Sequence, residues 1–390
     1  MNRHARPRAR FAIAAVFFVN GCTFSSWSPR LPELQARLGV SDAALGVTLV
    51  GAGIGGLLAS VVSGRMVDRF GSRTMTVVTS TGLSLGLPLV AWSPVAAALF
   101  AVLIALGALD GLTDVAMNAQ AIELQRHLAR TILSRFHALW SFGAVTGGIV
   151  ASRAAAAGVT LRLHLSVVAV VLVATTLVMG RGLLPNDRRH ANAFPSDDGA
   201  PMDRGRPRLA IVALFAVGLG TALAEIPAND WAALLMAQRF DLSDGRAALG
   251  FVAIAGGMLA GRLVGDHVAD TIGFERTRRG GALVAAAGIV VATTVGLPVV
   301  AGLGLFVAGV GLSSLFPLAF RAASEMVPGH AGMASFSSGA RLGILLASPA
   351  VGLIAGRSSI AVGLLLVAGS AAVVIGAARL PRQPAVTPPS

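Results

Sequence analysis

The sequence predicts an all-α membrane protein: twelve transmembrane helices in two six-helix, pseudo-symmetric halves. Three observations carry that prediction. Twelve apolar stretches reach spanning length, a polar gap follows the sixth, and short motifs return in the second half where they stood in the first. Composition agrees. Of 390 residues, 55% are hydrophobic and 13% charged, whereas soluble domains carry about 25% charged residues.

The apolar stretches cover 10–29, 43–63, 74–92, 95–122, 134–157 and 161–182, then 209–236, 246–264, 279–297, 299–322, 332–355 and 358–378. Each is near the ~20 residues a helix needs to cross the hydrocarbon core. The fourth and tenth follow their predecessors so closely, at Ser93-Pro94 and Leu297-Pro298, that tight turns are expected there. Residues 183–208 hold Pro185, Pro195, Pro201 and Pro207 among Asp and Arg, with no apolar face. They are expected to form a polar, disordered linker between the halves 1–182 and 209–390.

The formal net charge is +13, and every one of the 31 basic residues is arginine. Such a balance can mark a nucleic-acid binder. Here the arginines fill short gaps between apolar stretches, so they read as topology signals, and no nucleic-acid partner is expected. With the N-terminus inside, the inner segments hold Arg3, Arg6, Arg8, Arg10, Arg65, Arg69, Arg73, Arg126, Arg130, Arg135, the linker group, Arg276, Arg278, Arg279, Arg379 and Arg382. The outer loops hold only Arg30, Arg37, Arg153, Arg162, Arg239, Arg246 and Arg357. Both termini are therefore expected in the cytoplasm of a bacterial inner membrane. Cys22 is the only cysteine, so no intrachain disulfide can form.

The halves repeat each other. Leu38-Gly39-Val40-Ser41-Asp42 is answered by Phe240-Asp241-Leu242-Ser243-Asp244, Gly55-Gly56 by Gly256-Gly257, and Gly111-Leu112 by Gly311-Leu312. After the second stretch comes a loop motif, Gly64-Arg65-Met66-Val67-Asp68-Arg69-Phe70-Gly71-Ser72-Arg73; after the eighth comes a matching run from Gly265 to Arg276. Glycines there permit a tight turn, and the Asp can meet a helix N-terminus or an Arg across the interface.

This pattern resembles the signature between helices two and three of the major facilitator superfamily, and the resemblance covers essentially the whole chain. It implies secondary transport by alternating access, with Gly64, Asp68, Arg69, Gly71 and Arg73 gating the cytoplasmic side. The second copy departs from it, with Thr271 where the first has Arg69. Asp114-Val115-Ala116-Met117-Asn118-Ala119 is similar to the acidic-x-Ala-x-Asn-Pro stretch of helix four in fucose:proton symporters, with Ala119 in place of the proline. That likeness implies a proton-coupling role for Asp114. Ser26–Pro32, Ser134–Ser141 and Glu225 with Asp230-Trp231 look like a less characterised set of bacterial inner-membrane facilitators.

Chemistry is expected where polar groups enter apolar stretches. Asp110, Asp114 and Asn118 stand four residues apart, which stacks them on one helix face. Two carboxylates at membrane depth cost roughly 5–7 kcal/mol on insertion scales, so they mark function. Asp114 is the first proton-coupling candidate, followed by Asp110 and then Glu225; permanent pairing with Arg or Asn for packing is the structural alternative. Asn20, Asn118, Trp27, Asp230, Arg341 and His137 are the substrate-binding candidates. Each has a plainer reading: helix–helix contacts for the asparagines, interfacial anchoring for Trp27, Asp230 and His137, and snorkelling or pairing with Glu325 for Arg341. Pro227 is expected to break the seventh helix beside Glu225, and Arg321 reads as structural.

No nucleophile–base pair, cofactor motif, Gly-x-x-x-x-Gly-Lys loop or metal-ligand spacing occurs, so no enzyme, cofactor, metal site or ATP-driven pump is expected. The sequence therefore points to a monomeric, proton-coupled transporter of a small polar, sugar-like solute. A proton-driven exporter of drugs or metabolites, and a receptor or scaffold that keeps the fold without flux, are the alternatives.

Overall fold

The computed structural model describes residues 5–128, 132–185, 208–319 and 330–376. The first half holds α1 (Ala5–Ser25), α2 (Leu31–Leu38), α3 (Asp42–Phe70), α4 (Ser72–Trp92), α5 (Ala96–Leu128), α6 (Leu133–Ala156) and α7 (Leu161–Gly180). The second holds α8 (Arg208–Phe240), α9 (Asp244–Ala247), α10 (Leu249–Ile272), α11 (Phe274–Thr294), α12 (Pro298–Leu312), α13 (His330–Arg357) and α14 (Ile360–Gly376). A 3-10 turn at Ser28–Arg30 joins α1 to α2, with Pro29 and Pro32 in first turns where a missing N–H is harmless. Helices answer all twelve apolar stretches. Nine spans among the described residues are long and apolar enough to cross a membrane. Helices α6, α11 and α14 complete the set; α14 is apolar but has only 17 residues.

Several helices outrun their apolar stretches. α3 continues to Phe70 and α5 to Leu128, because Arg65, Met66 and Arg69, and then Glu123 to Arg126, are good helix formers in water. The motif from Gly64 to Phe70 is thus helix rather than loop, and the turn is confined to Gly71. That residue has φ 83°, ψ 147°, a region open essentially to glycine alone. Its counterpart Gly273 has φ 90°, ψ 148°. In each turn the glycine N–H closes the preceding helix, onto Val67 and Ala269 respectively. The break expected at Pro227 does not occur. Proline removes one N–H, yet α8 continues through it, and Asn229 Nδ2 donates to the Glu225 carbonyl at 2.9 Å.

Packing repeats as the motifs do. Within the first half, α3 packs on α5, α1 on α6, and α4 on α5 and α7; within the second, α10 packs on α12, α8 on α13, and α11 on α12 and α14. The contacts also set the register of the repeat. Gly55 lies against Ile104 as Gly257 lies against Phe306, and Gly107 abuts Ala52 as Gly309 abuts Ile254. Gly55 therefore answers Gly257, not Gly256, and Gly111 and Gly311 have different neighbours. Adjacent glycines match in either register when only the sequence is read; backbone contact decides between them.

Arginines bind the same helix ends in both halves. Arg37 donates to the carbonyls of Ala91, Val90 (3.2 Å) and Ser93 (3.3 Å) at the end of α4. Arg239 donates to those of Thr294 (3.1 Å) and Val295 (3.5 Å) after α11. Both satisfy carbonyls that a helix C-terminus leaves unpaired, and both meet the negative end of the helix dipole. The chain then reverses at Gly39 (φ 63°) and Asp241 (φ 49°). Outward-facing apolar side chains such as Leu58, Val61, Val170 and Val299 are exposed, as suits a surface solvated by lipid.

Candidate functional site

The site begins on α5. Gly107 and Gly111 bring α5 close against α3, and Asp110, Asp114 and Asn118 continue along the edge of that face toward the Gly71 end. Both carboxylates are exposed, and Asn118 is half-buried. Asn118 Nδ2 donates to Asp114 Oδ1 at 3.0 Å and to the Asp114 carbonyl at 2.9 Å. Asn20 on α1 donates from Nδ2 to Asp110 Oδ1 at 2.8 Å and accepts from Trp140 Nε1 at 2.7 Å. An indole N–H can only donate, so the amide of Asn20 has one possible orientation: oxygen to Trp140, NH2 to Asp110. Among the described residues, neither aspartate forms an ion pair.

The second half brings a different acid. Glu225 on α8 lies 3.8 Å from Nη2 of Arg262 on α10, with both side chains about a quarter exposed. Arg262 Nη1 reaches across to Ser141 Oγ on α6 at 2.5 Å, and its guanidinium lies 5.5 Å from the centre of the Trp140 ring. A chain of contacts therefore runs Asp110–Asn20–Trp140–Arg262–Glu225, from one half to the other. Arg262 has no place among the sequence candidates. It falls at the end of an apolar stretch, where an arginine resembles a topology signal; the partners that distinguish it lie on other helices.

These groups lie beside the contact between the halves. The halves meet along α3–α13 and α6–α10. Near Asp42 the first seam is tight enough that a Cβ on Gly46 would stand 2.5 Å from the Ser348 carbonyl oxygen, and one on Gly352 2.5 Å from that of Asp42. Gln238 Nε2 donates across the same end to Asp42 Oδ1 at 2.8 Å, and Ser152 Oγ donates to the Gly245 carbonyl at 2.7 Å. The seam continues to Gly53 against Ile344 and Leu345. Asp110 follows just deeper, since Gly55 is level with Ile104 and Ala108 on α5. Asp110 and Asp114 are therefore exposed just past a seam that is closed toward Asp42.

Residues 13–336 match the profile of the Major Facilitator Superfamily. An uncharacterised MFS-type transporter of Yersinia pestis is 31% identical over 370 residues, which cover 92% of this chain and 94% of that one. The chain belongs to the Major Facilitator Superfamily. It is a multi-pass secondary transporter of a small-molecule substrate, not an enzyme. Among solved structures it resembles the nucleoside transporter NupG (TM-score 0.75, 16% identity, 95% of this chain and 98% of that one). It also resembles the E. coli fucose:proton symporter FucP (TM-score 0.57, 17% identity, 96% and 98%). At those identities the likeness speaks for the fold alone.

The remaining sequence candidates take varied places in this facilitator fold. Trp27 is 6% exposed and stands edge-on to Phe24 in the core, away from the cavity in this conformation. Asp230 is 9% exposed and accepts from Ser348 Oγ at 2.5 Å, inside the closed seam. His137 stands edge-on to Phe17, 5.3 Å between ring centres. Arg341 is exposed on α13, on the helical stripe of Ile344, Ser348 and Gly352, which faces α3. Of the motif, Gly64, Asp68 and Arg69 lie on the last turns of α3, with Asp68 and Arg69 exposed and Arg69 over the Phe70 ring. Arg73 donates to the carbonyls of Gly180 and Arg181, both at 3.3 Å, tying α4 to the end of α7. Arg321, Glu325 and most of the linker lie outside the described residues.

Proposed function

We propose that the protein is a proton-coupled symporter of a small polar, sugar-like solute in a bacterial inner membrane. Asp114 is its first proton carrier and Asp110 its neighbour in that task. One observation carries the reading: two cavity-facing carboxylates, one helical turn apart, are held by amides rather than by cations. Like charges at that spacing repel, so uptake of one proton relieves strain that a fixed arginine would otherwise absorb. An amide donates to a carboxyl oxygen whether or not the group carries a proton, so Asn20 and Asn118 hold the acids in place through both states. The unused oxygens, with Arg341 across the opening, supply acceptors and donors for solute hydroxyls.

The arginine bias of the sequence supports a topology with both termini and the linker 183–208 in the cytoplasm. The Asp42 seal is then external, and the conformation faces inward. The motif Gly64, Asp68, Arg69, Gly71 and Arg73 lies at the open end, where a cytoplasmic gate would close. The protein acts as a monomer in this scheme.

Proteoliposomes test it. Ligands are first ranked by thermal shift across a library of polar solutes, because a bound ligand raises apparent stability. The best binders are then offered under an inward proton gradient. Accumulation that collapses with a protonophore supports symport. Extrusion on the same gradient identifies an exporter, and binding without flux identifies a receptor.

A further inference from the structure

Arg262 stands at the deep end of the α6–α10 seam, where the closed part of the interface gives way to the cavity. It belongs to the second half, yet its closest partner belongs to the first. Nη1 donates to Ser141 Oγ at 2.5 Å, and Ser141 Oγ in turn donates to the His137 carbonyl at 3.1 Å. The hydroxyl proton is thereby committed, leaving lone pairs free for the guanidinium. Trp140 is fixed as well, because its N–H is bonded to Asn20. Its ring offers the guanidinium a π face at 5.5 Å, within the range of a cation–π attraction.

On the other side, Glu225 Oε1 is 3.8 Å from Nη2. That distance is too long for a hydrogen bond and short enough for attraction between charges. Arg262 is thus drawn two ways, toward Ser141 and Trp140 on the opposite half and toward Glu225 on its own.

We infer that Arg262 is a positioning residue for alternating access, a clasp that joins α6 to α10 in the state sealed toward Asp42, with Glu225 as the counter-charge that draws it off. A neutral Glu225 leaves the guanidinium with Ser141 and Trp140, and the seal holds. A charged Glu225 competes for it, and the seam loosens. Events at a cavity-facing carboxyl group are converted in this way into a change of contact between the halves. The assignment is independent of which solute is carried.

The other seam supplies the reporter. A Cβ placed on Gly356 would lie 3.6 Å from the Ala43 Cβ, inside the roughly 3.5–4.5 Å range of disulfides. In a Cys22→Ala background, Ala43→Cys with Gly356→Cys should cross-link under mild oxidation at a rate that follows the population sealed at the Asp42 end. Arg262→Gln should slow cross-linking several-fold, Ser141→Ala less, and Arg262→Lys should recover part of the loss. Glu225→Gln should speed it, and Glu225→Gln with Arg262→Gln should match Arg262→Gln alone.

A residue that only stabilises the fold would not give opposite shifts for the two charge-neutral variants, nor the dependence of one on the other. Unfolding midpoints check that each variant is intact. Equal rates for Arg262→Gln and its parent overturn the proposal. If Arg262→Gln fails to insert, unchanged rates in Ser141→Ala and Glu225→Gln overturn it instead.

Discussion

The two halves share a backbone plan but not a chemistry. Gly107 abuts Ala52 as Gly309 abuts Ile254, so three residues further on Leu312 stands where Asp110 stands. Gly143 packs on Phe18 and Cys22 as Gly339 packs on Phe215 and Leu219. By the same register Val217 takes the place of Asn20, and Phe336 that of Trp140. Among the described residues, the amide-held acids lie in the first half. The second half offers Glu225 beside Arg262 and buried Asp230 under Ser348. What the repeat preserves is the framework for rocking: positive-φ turns, glycine crossings and arginine-bound helix ends. What it lets diverge is the set of polar groups on those helices: paired acids and amides in one half, an acid beside an arginine in the other.

Four outcomes would sharpen or break that contrast. The largest concerns the framework. Oxidised Ala43→Cys/Gly356→Cys protein should show no flux, and reductant should restore it, because the Asp42 seal must open in every cycle. Full flux in the cross-linked protein would mean that the seal is no gate. Next come the acids. Asp110→Asn should cut proton-driven accumulation at least tenfold, while Glu225→Gln should slow turnover and leave accumulation coupled. The reverse ranking, read from initial rates and steady-state levels in proteoliposomes, would move the proton site to the second half.

A smaller effect is expected from Trp140→Phe, which leaves the oxygen of Asn20 unpaired. An unsatisfied buried acceptor costs about 1–3 kcal/mol. The loss should appear as a lower unfolding midpoint and weaker solute binding, whereas Phe336→Leu in the equivalent place should spare binding. Least affected is the turn pair. Gly71→Ala and Gly273→Ala each force a side chain into a backbone region that costs about 1–3 kcal/mol, and near-equal losses of stability would confirm their equivalence. A large difference between them would show that the two turns bear different loads.

The sequence reveals some of this more readily than the rest, for physical reasons. Asp110, Asp114 and Asn118 stand out because three polar residues at helical spacing interrupt an otherwise apolar run. Twelve helices are legible because each must bury about the same length in lipid. Helix ends are less so: Arg65 to Phe70 is polar enough to leave the bilayer yet still helical. Pro227 reads as a break, but an α-helix flanked by neighbours tolerates the loss of one hydrogen bond. Arg262 is illegible for a different reason. Its role depends on Ser141 and Trp140, some 120 residues earlier on the facing half, and no local pattern encodes how two halves are docked. Register within the repeat has the same difficulty, since Gly55-Gly56 and Gly256-Gly257 align equally well in more than one way.

In the proposed scheme Asp114 carries the proton and does not itself hold the helices together. The direct measurement compares two modes of transport in Asp114→Asn proteoliposomes: accumulation driven by a pH gradient, and exchange of labelled for unlabelled solute with no gradient. An asparagine imitates a carboxyl group that never gives up its proton. Exchange should continue at a rate near that of the parent while gradient-driven accumulation is lost. Accumulation that survives the substitution, with its dependence on the gradient intact, would contradict it.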